Sequence, residues 1–259
     1  MAKKADARKA RDFCGPLADD LATLADLLDT RGICTDITPL TSAVAQMGNF
    51  GQQTWNYEVS GLLFSLKESD NPSLPAQVID LSCGLSVRVG GAIPADQNSA
   101  LGDPFNALDV DLIIRAKTMS GKPAAVAWHF DRHIEKVSAA AAAHPIYHWQ
   151  CGGNQARQFA RDIGPGDLLP VLLLDSPRIA HPPLDAVLAV DFVLSNFIPS
   201  QWRPMRQLPK YRAILMRSQK HFWRPYAAGV RRWFANMIPK GADIDSAWAS
   251  DDLWPHLLN

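Results

Sequence analysis

The sequence predicts an α+β fold with an N-terminal helix, a central antiparallel β-meander and a C-terminal helical layer. Three observations carry this expectation. Leu17, Leu21, Leu24 and Leu28 repeat at the helical period directly after Gly15-Pro16. From about residue 55 the texture changes to strand-like runs at 55–66, 77–89, 110–116, 124–133 and 146–151. Clusters such as Asp70-Asn71-Pro72 and Ser120-Gly121-Lys122-Pro123 separate them, and no helix of useful length lies between, which favours a meander over βαβ units. The second half then returns to helical patterning.

Each element has its own signature. Gly15-Pro16 reads as the start of the first helix, because proline suits the first helical turn, and residues 1–13 read as a frayed basic lead. Asp19, Asp20, Asp26 and Asp29 are expected on its outer side. Residues 110–115 and 125–128 flank a short turn and read as a hairpin. A short apolar run at 168–174 ends at Asp175. Pro182-Pro183 precedes a helix over 184–197 that is apolar almost all round, as buried helices are. Two more helices are expected at 210–224 and 225–238, with Pro225 at the first position of the second. The organisation is a single α+β domain over 1–259, helical over 1–50, a sheet over 51–153 and mainly helical over 154–259.

Composition narrows the function classes. The chain has 26 Lys plus Arg against 26 Asp plus Glu, so no bulk charge attracts a polyanion. Cys14, Cys34, Cys83 and Cys151 form no CxxC pair, which argues against a disulfide framework or an all-cysteine zinc site. The first residues, Met1-Ala2-Lys3-Lys4, lead into no apolar core of a signal peptide, and no apolar stretch is long enough to cross a membrane. A cytoplasmic protein without a membrane partner is expected. GxxxxGK[ST], strand-linked GxGxxG, GxSxG and HExxH patterns are absent, which leaves nucleotide-loop, dinucleotide, α/β-hydrolase and zinc-protease readings unsupported.

The strongest functional signal is a cluster of histidines. Four of the seven lie at His129, His133, His144 and His148. Alternate residues of a strand share a face, so His129, Asp131 and His133 point one way, as do His144, Ile146 and His148. Pairing of the two segments would gather four imidazoles and the Asp131 carboxylate on one sheet face. Imidazole transfers protons near neutrality and is the commonest zinc ligand, so the group suits acid–base catalysis or a divalent metal such as zinc or manganese. His129 and His133 stand roughly 13 Å apart on one strand, so ligands must converge across strands. Asp175 and His181 are further candidates.

A second signal lies at 201–240, which holds ten Lys or Arg residues and no Asp or Glu. Trp202, Tyr211, Phe222, Trp223, Tyr226, Trp233 and Phe234 are interleaved. Arg203, Arg206, Arg217, Arg224, Arg231 and Arg232 would hold the phosphates of RNA or DNA while aromatic rings stack on bases. An acidic protein partner would suit the same stretch.

Two resemblances add alternatives. His144-Pro145-Ile146, with Cys151 seven residues on from the histidine, resembles the His-Pro-Asn…Cys stretch of ubiquitin-conjugating enzymes, with isoleucine in place of the asparagine. That resemblance implies Cys151 as a thioester nucleophile. A histidine-rich strand pair after a meander is similar to small bacterial toxins of toxin–antitoxin systems. The leading expectation is a nucleic-acid-acting protein, a nuclease of bacterial toxin or defence type. The alternatives are a conjugating enzyme acting through Cys151 and a non-catalytic scaffold with structural histidines.

Overall fold

A computed structural model of the chain describes residues 2–48, 53–67, 69, 78–94, 102–132, 145–152, 159, 161–162 and 178–234. Among these residues, two helices, α1 (Ala2–Thr30) and α2 (Thr38–Met47), precede a six-stranded sheet. Its strands are β1 (Thr54–Ser65), β2 (Val78–Ala92), β3 (Ala107–Thr118), β4 (Pro123–Arg132), β5 (Tyr147–Cys151) and β6 (Ile179–Ala180). They follow one another in sequence order and every pair is antiparallel. The helical layer comprises α3 (Ala186–Phe197), α4 (Pro199–Arg206), α5 (Pro209–Ser218), a π-helical turn (Gln219–Trp223) and α6 (Arg224–Phe234). The α+β class, the meander and the two helical ends match the sequence expectation.

Strand alternation explains which face is buried. Val59, Val87, Val110, Phe130 and Trp149 form one in-register row across β1 to β5, and all five are buried. Tyr57, Val89 and Leu108 form a parallel row. The helices cover this face: Tyr57 Oη accepts the Ala186 N–H at 3.1 Å, and Trp149 stacks on Phe192 with centroids 4.9 Å apart. The β1–β2 register shifts between Val59 and Leu62, where Gly61 adopts φ 69°. That extra residue keeps Leu62 and Phe64 inward, which an uninterrupted alternation from Val59 would not.

Several local expectations are corrected. α1 begins at Ala2 and carries Pro16 inside it. Ala10 and Cys14 are fully buried and extend the Leu17–Leu21–Leu24–Leu28 stripe toward the N-terminus, so packing outweighs the single backbone bond that proline removes. Asp20 faces inward, 4% exposed, and accepts from Arg217 Nε at 3.0 and 3.1 Å. In place of the separate helices foreseen at 210–224 and 225–238, one helical run continues to Phe234, the last described residue, and in it Arg224 N–H bonds back five residues to Gln219 O. This widened turn precedes Pro225, whose ring conflicts with an ordinary helical carbonyl.

Buried carboxylates tie the helices together. Asp185 caps α3 by accepting the Leu188 N–H at 2.9 Å and the Ser218 hydroxyl at 2.7 Å. Asp191 accepts from Trp202 Nε1 at 2.8 Å and from the Tyr211 hydroxyl at 3.1 Å. Burial pushes the Asp185 carboxyl from 3.8 up to about 6, and the charge of Asp20 adds to the effect. The folded protein therefore holds a proton that the unfolded chain releases. Stability falls as pH rises across that window and levels off above it. Asp185→Asn keeps an amide oxygen for Leu188 and removes the charge. Its stability relative to wild type should rise between pH 4 and pH 7 by up to about 3 kcal/mol in urea denaturation. A difference that stays constant with pH would contradict this assignment.

Candidate functional site

The sheet face opposite the helices is polar where β3, β4 and β5 meet. Asp109 and Asp111 are alternate residues of β3, and Val110 between them and Leu112 beyond point into the core. The register sets Asp109 opposite Asp131 and Asp111 opposite His129. On β5, His148 stands opposite Asp131 and Gln150 opposite His129. The two cross-strand rows, Asp109–Asp131–His148 and Asp111–His129–Gln150, therefore lie side by side.

The side chains converge accordingly. His129 Nδ1 is 2.9 Å from Asp111 Oδ1 and 4.0 Å from Asp109 Oδ1. Its Nε2 is 3.3 Å from Asp131 Oδ2. Asp131 Oδ1 is 3.3 Å from His148 Nδ1, which also lies 3.1 Å from the Pro145 carbonyl. Asp131 thus hydrogen-bonds His129 through one oxygen and sets the other beside His148. His148 is buried, whereas His129, Asp109, Asp111 and Asp131 are 22–34% exposed and reachable from solvent. The Asp111 and Asp131 carboxylates raise His129 to about 10. Burial, with a further contribution from Asp111, pushes the Asp109 carboxyl up.

One ligand atom each from Asp109, Asp111 and His129 fit within 4.8 Å of one another, close enough to share a divalent ion. Two carboxylates and an imidazole suit manganese or zinc better than calcium, which prefers oxygen alone. Nδ1 faces the carboxylate pair and Nε2 faces Asp131. A metal-binding histidine characteristically gives its second nitrogen to such an orienting carboxylate. A cation would also neutralise the repulsion between Asp109 and Asp111.

The structure places the other sequence candidates as follows. His129, Asp131 and His148 come together on one face. His133, His144 and Asp175 lie outside the described residues. Among those described, the ligand-like convergence involves two aspartates and one histidine in place of a set of histidines. His181 packs on the helix side against Phe130 and Trp149. Cys151 is exposed and outside any disulfide, but it pairs with Trp128 and falls on the face opposite His129 and His148.

The basic stretch is redistributed too. Arg217 is held by Asp20, and Arg206 lies 3.5 Å from Asp191 Oδ2 and over the Trp202 ring. Arg203, Arg224, Arg231 and Arg232 are exposed, on helices behind the sheet and away from the histidine face. Tyr211, Phe222 and Trp223 are core residues and have no free ring face for a base. Asp109 and Asp111 were missed at the sequence level. Their signal is the alternation Leu108-Asp109-Val110-Asp111-Leu112, which puts two acids on one face of a central strand.

No protein-family model, curated protein or solved structure matches this chain.

Proposed function

We propose that the protein is a divalent-cation-dependent hydrolase that acts on the phosphodiester bonds of nucleic acid. The observation that carries the reading is the register-enforced convergence of Asp109, Asp111 and His129, with Asp131 orienting the imidazole. In this scheme the three residues hold manganese or zinc. A divalent ion held there would supply an activated water as nucleophile and a counter-charge for the phosphoryl oxygens. Asp131 would keep His129 in its ligating tautomer, and His148, held at the Pro145 carbonyl, stands 3.3 Å from Asp131 Oδ1. Exposed Arg203, Arg224, Arg231 and Arg232 supply cationic contacts for a polymer long enough to reach around the sheet.

The test is incubation with single-stranded and duplex RNA and DNA at low salt, with and without Mn2+ or Zn2+. Wild type should cleave at least one of them only when the cation is present. His129→Ala should lose activity to background. His148→Ala and Asp131→Asn should lose about tenfold to a hundredfold, as outer partners of a metal ligand do. Cleavage that is indifferent to chelation and to His129→Ala, or intact polymer in every wild-type reaction, would overturn the proposal.

A further inference from the structure

Arg88 lies beside the carboxylate pair, on β2. The register puts Glu58, Arg88 and Asp109 in one cross-strand row and sets Ser86 opposite Asp111 in the next. Arg88 Nη2 is 3.2 Å from Asp109 Oδ2, yet the side chain is 67% exposed. Glu58, Ser86, Arg88, Asp109 and Asp111 line a cleft of about 240 Å³, large enough for a phosphate group with its first waters. Ser86 Oγ accepts the Gly61 N–H at 3.0 Å, and a hydroxyl that accepts still has its own hydrogen to donate.

The charge balance of this face sets an order of events. Glu58, Asp109, Asp111 and Asp131 outnumber Arg88 and His129 even when the imidazole is protonated, so an anion is repelled from the unloaded cleft. A divalent ion on Asp109, Asp111 and His129 offsets that repulsion. It also competes with Arg88 for Asp109. The guanidinium, already exposed, then turns to the next anion available. Its planar fork matches the two non-bridging oxygens of a phosphodiester, and the Ser86 hydroxyl can donate to one of them.

We propose that Arg88, with Ser86, forms an anion subsite that takes a phosphodiester monoanion only after the cation has bound. The proposal rests on the cation-site reading above and adds the residue that grips the substrate and the order of binding. Gly84 and Arg115 continue the same face beyond Ser86 and Asp111, and Arg115, four residues along the strand from Asp111, holds its guanidinium over Gly84. It serves as a charge control on the same surface.

The experiment uses the full chain with Mn2+ as the cation and dimethyl phosphate as the anion. Calorimetry reads Mn2+ binding. Broadening of the phosphorus resonance by protein-bound Mn2+ reads anion binding to the loaded protein, and calorimetric titration with dimethyl phosphate reads it without metal. Wild type should bind one Mn2+ and should bind dimethyl phosphate only when loaded. Arg88→Ala should bind Mn2+ as well as or more tightly than wild type, because a competitor for Asp109 is gone, and should bind dimethyl phosphate about tenfold more weakly. Arg88→Lys, a point charge without the fork, should fall between, and Arg115→Ala should match wild type. Wild type that binds no Mn2+ would overturn the cation reading itself. Loaded Arg88→Ala that binds the anion like wild type would overturn the subsite and leave the cation site standing. Equal anion binding without metal would overturn the order of binding. An equal loss in Arg115→Ala would overturn the local assignment.

Discussion

Replacing Asp111 by asparagine should weaken divalent-cation binding about a hundredfold and reduce cation-dependent cleavage to background. Asp111 contributes both a ligand oxygen and the charge nearest His129 Nδ1, at 2.9 Å. An amide oxygen at that position still accepts a hydrogen bond from the ring but offers a cation no net charge. The fold should tolerate the exchange, because the side chain is partly exposed on the face away from the core and the two residues are isosteric. Far-UV circular dichroism and the midpoint of thermal unfolding should therefore match wild type while cation titration fails. Retained affinity in a folded Asp111→Asn protein would remove Asp111 from the ligand set.

Stability should suffer most from a change at a residue with no side chain. Gly91 of β2 stands opposite Trp55, and a Cβ at that position would come 2.1 Å from the Pro104 carbonyl oxygen and 2.9 Å from Trp55 Nε1. The first of these is backbone, fixed in turn by the Asn106 N–H, which donates to Gly90 O at 2.8 Å. The crowding segment also carries Asp103, which accepts from Arg132 Nε at 2.9 Å and from the Tyr147 hydroxyl. Gly91→Ala must therefore push this segment off the sheet or displace Trp55, which is buried among Tyr57, Phe105 and Phe222. A cost of about 3 kcal/mol, the upper end of ordinary overpacking, is expected. Thermal unfolding should shift down by roughly 10 °C. Because Arg132 and Tyr147 adjoin Asp131 and His148 along their strands, cation affinity should fall as well. An unchanged midpoint would show that residues 103–106 do not lie against Gly90 and Gly91.

Much of the sheet was legible because its physics is local. The runs at 55–66, 110–116 and 146–151 alternate or carry β-branched and aromatic residues, and each became a strand with ends shifted by a few residues at most. The buried helix at 184–197 was legible for the same reason, since no polar stripe interrupts it. Less legible were features set by tertiary partners. Asp20 reads as a solvent-side acid until Arg217, nearly two hundred residues away, is brought beside it. α4 packs through Met205 and Trp202 and has little apolar periodicity of its own. Pro16 reads as a helix start because the burial of Ala10 and Cys14 ahead of it depends on what packs there.

The site was half legible. Alternation on β4 and β5 put His129, Asp131 and His148 on a common face, and the structure has them there. The partners from β3 were not foreseen, because register between strands depends on turn length and core packing that spacing alone does not reveal. Clustered histidines are uncommon in a sequence, whereas Asp109 and Asp111 look like ordinary polar positions of an amphipathic strand. The arginine-rich stretch was read as one surface. In the fold, helix packing assigns Arg217 and Arg206 to buried carboxylates and Tyr211, Phe222 and Trp223 to the core.

A divalent cation held by Asp109, Asp111 and His129 must sit within bonding reach of the His129 ring. The most direct measurement is a titration of 15N-histidine-labelled protein with Mn2+, followed through the imidazole nitrogen resonances. One saturable site per chain is expected. His129 resonances should broaden first and most strongly, with Nδ1 ahead of Nε2, and His221, buried against Phe13 and Phe222, should stay sharp. Saturation that leaves the His129 resonances sharp, or no binding at millimolar Mn2+, would contradict it.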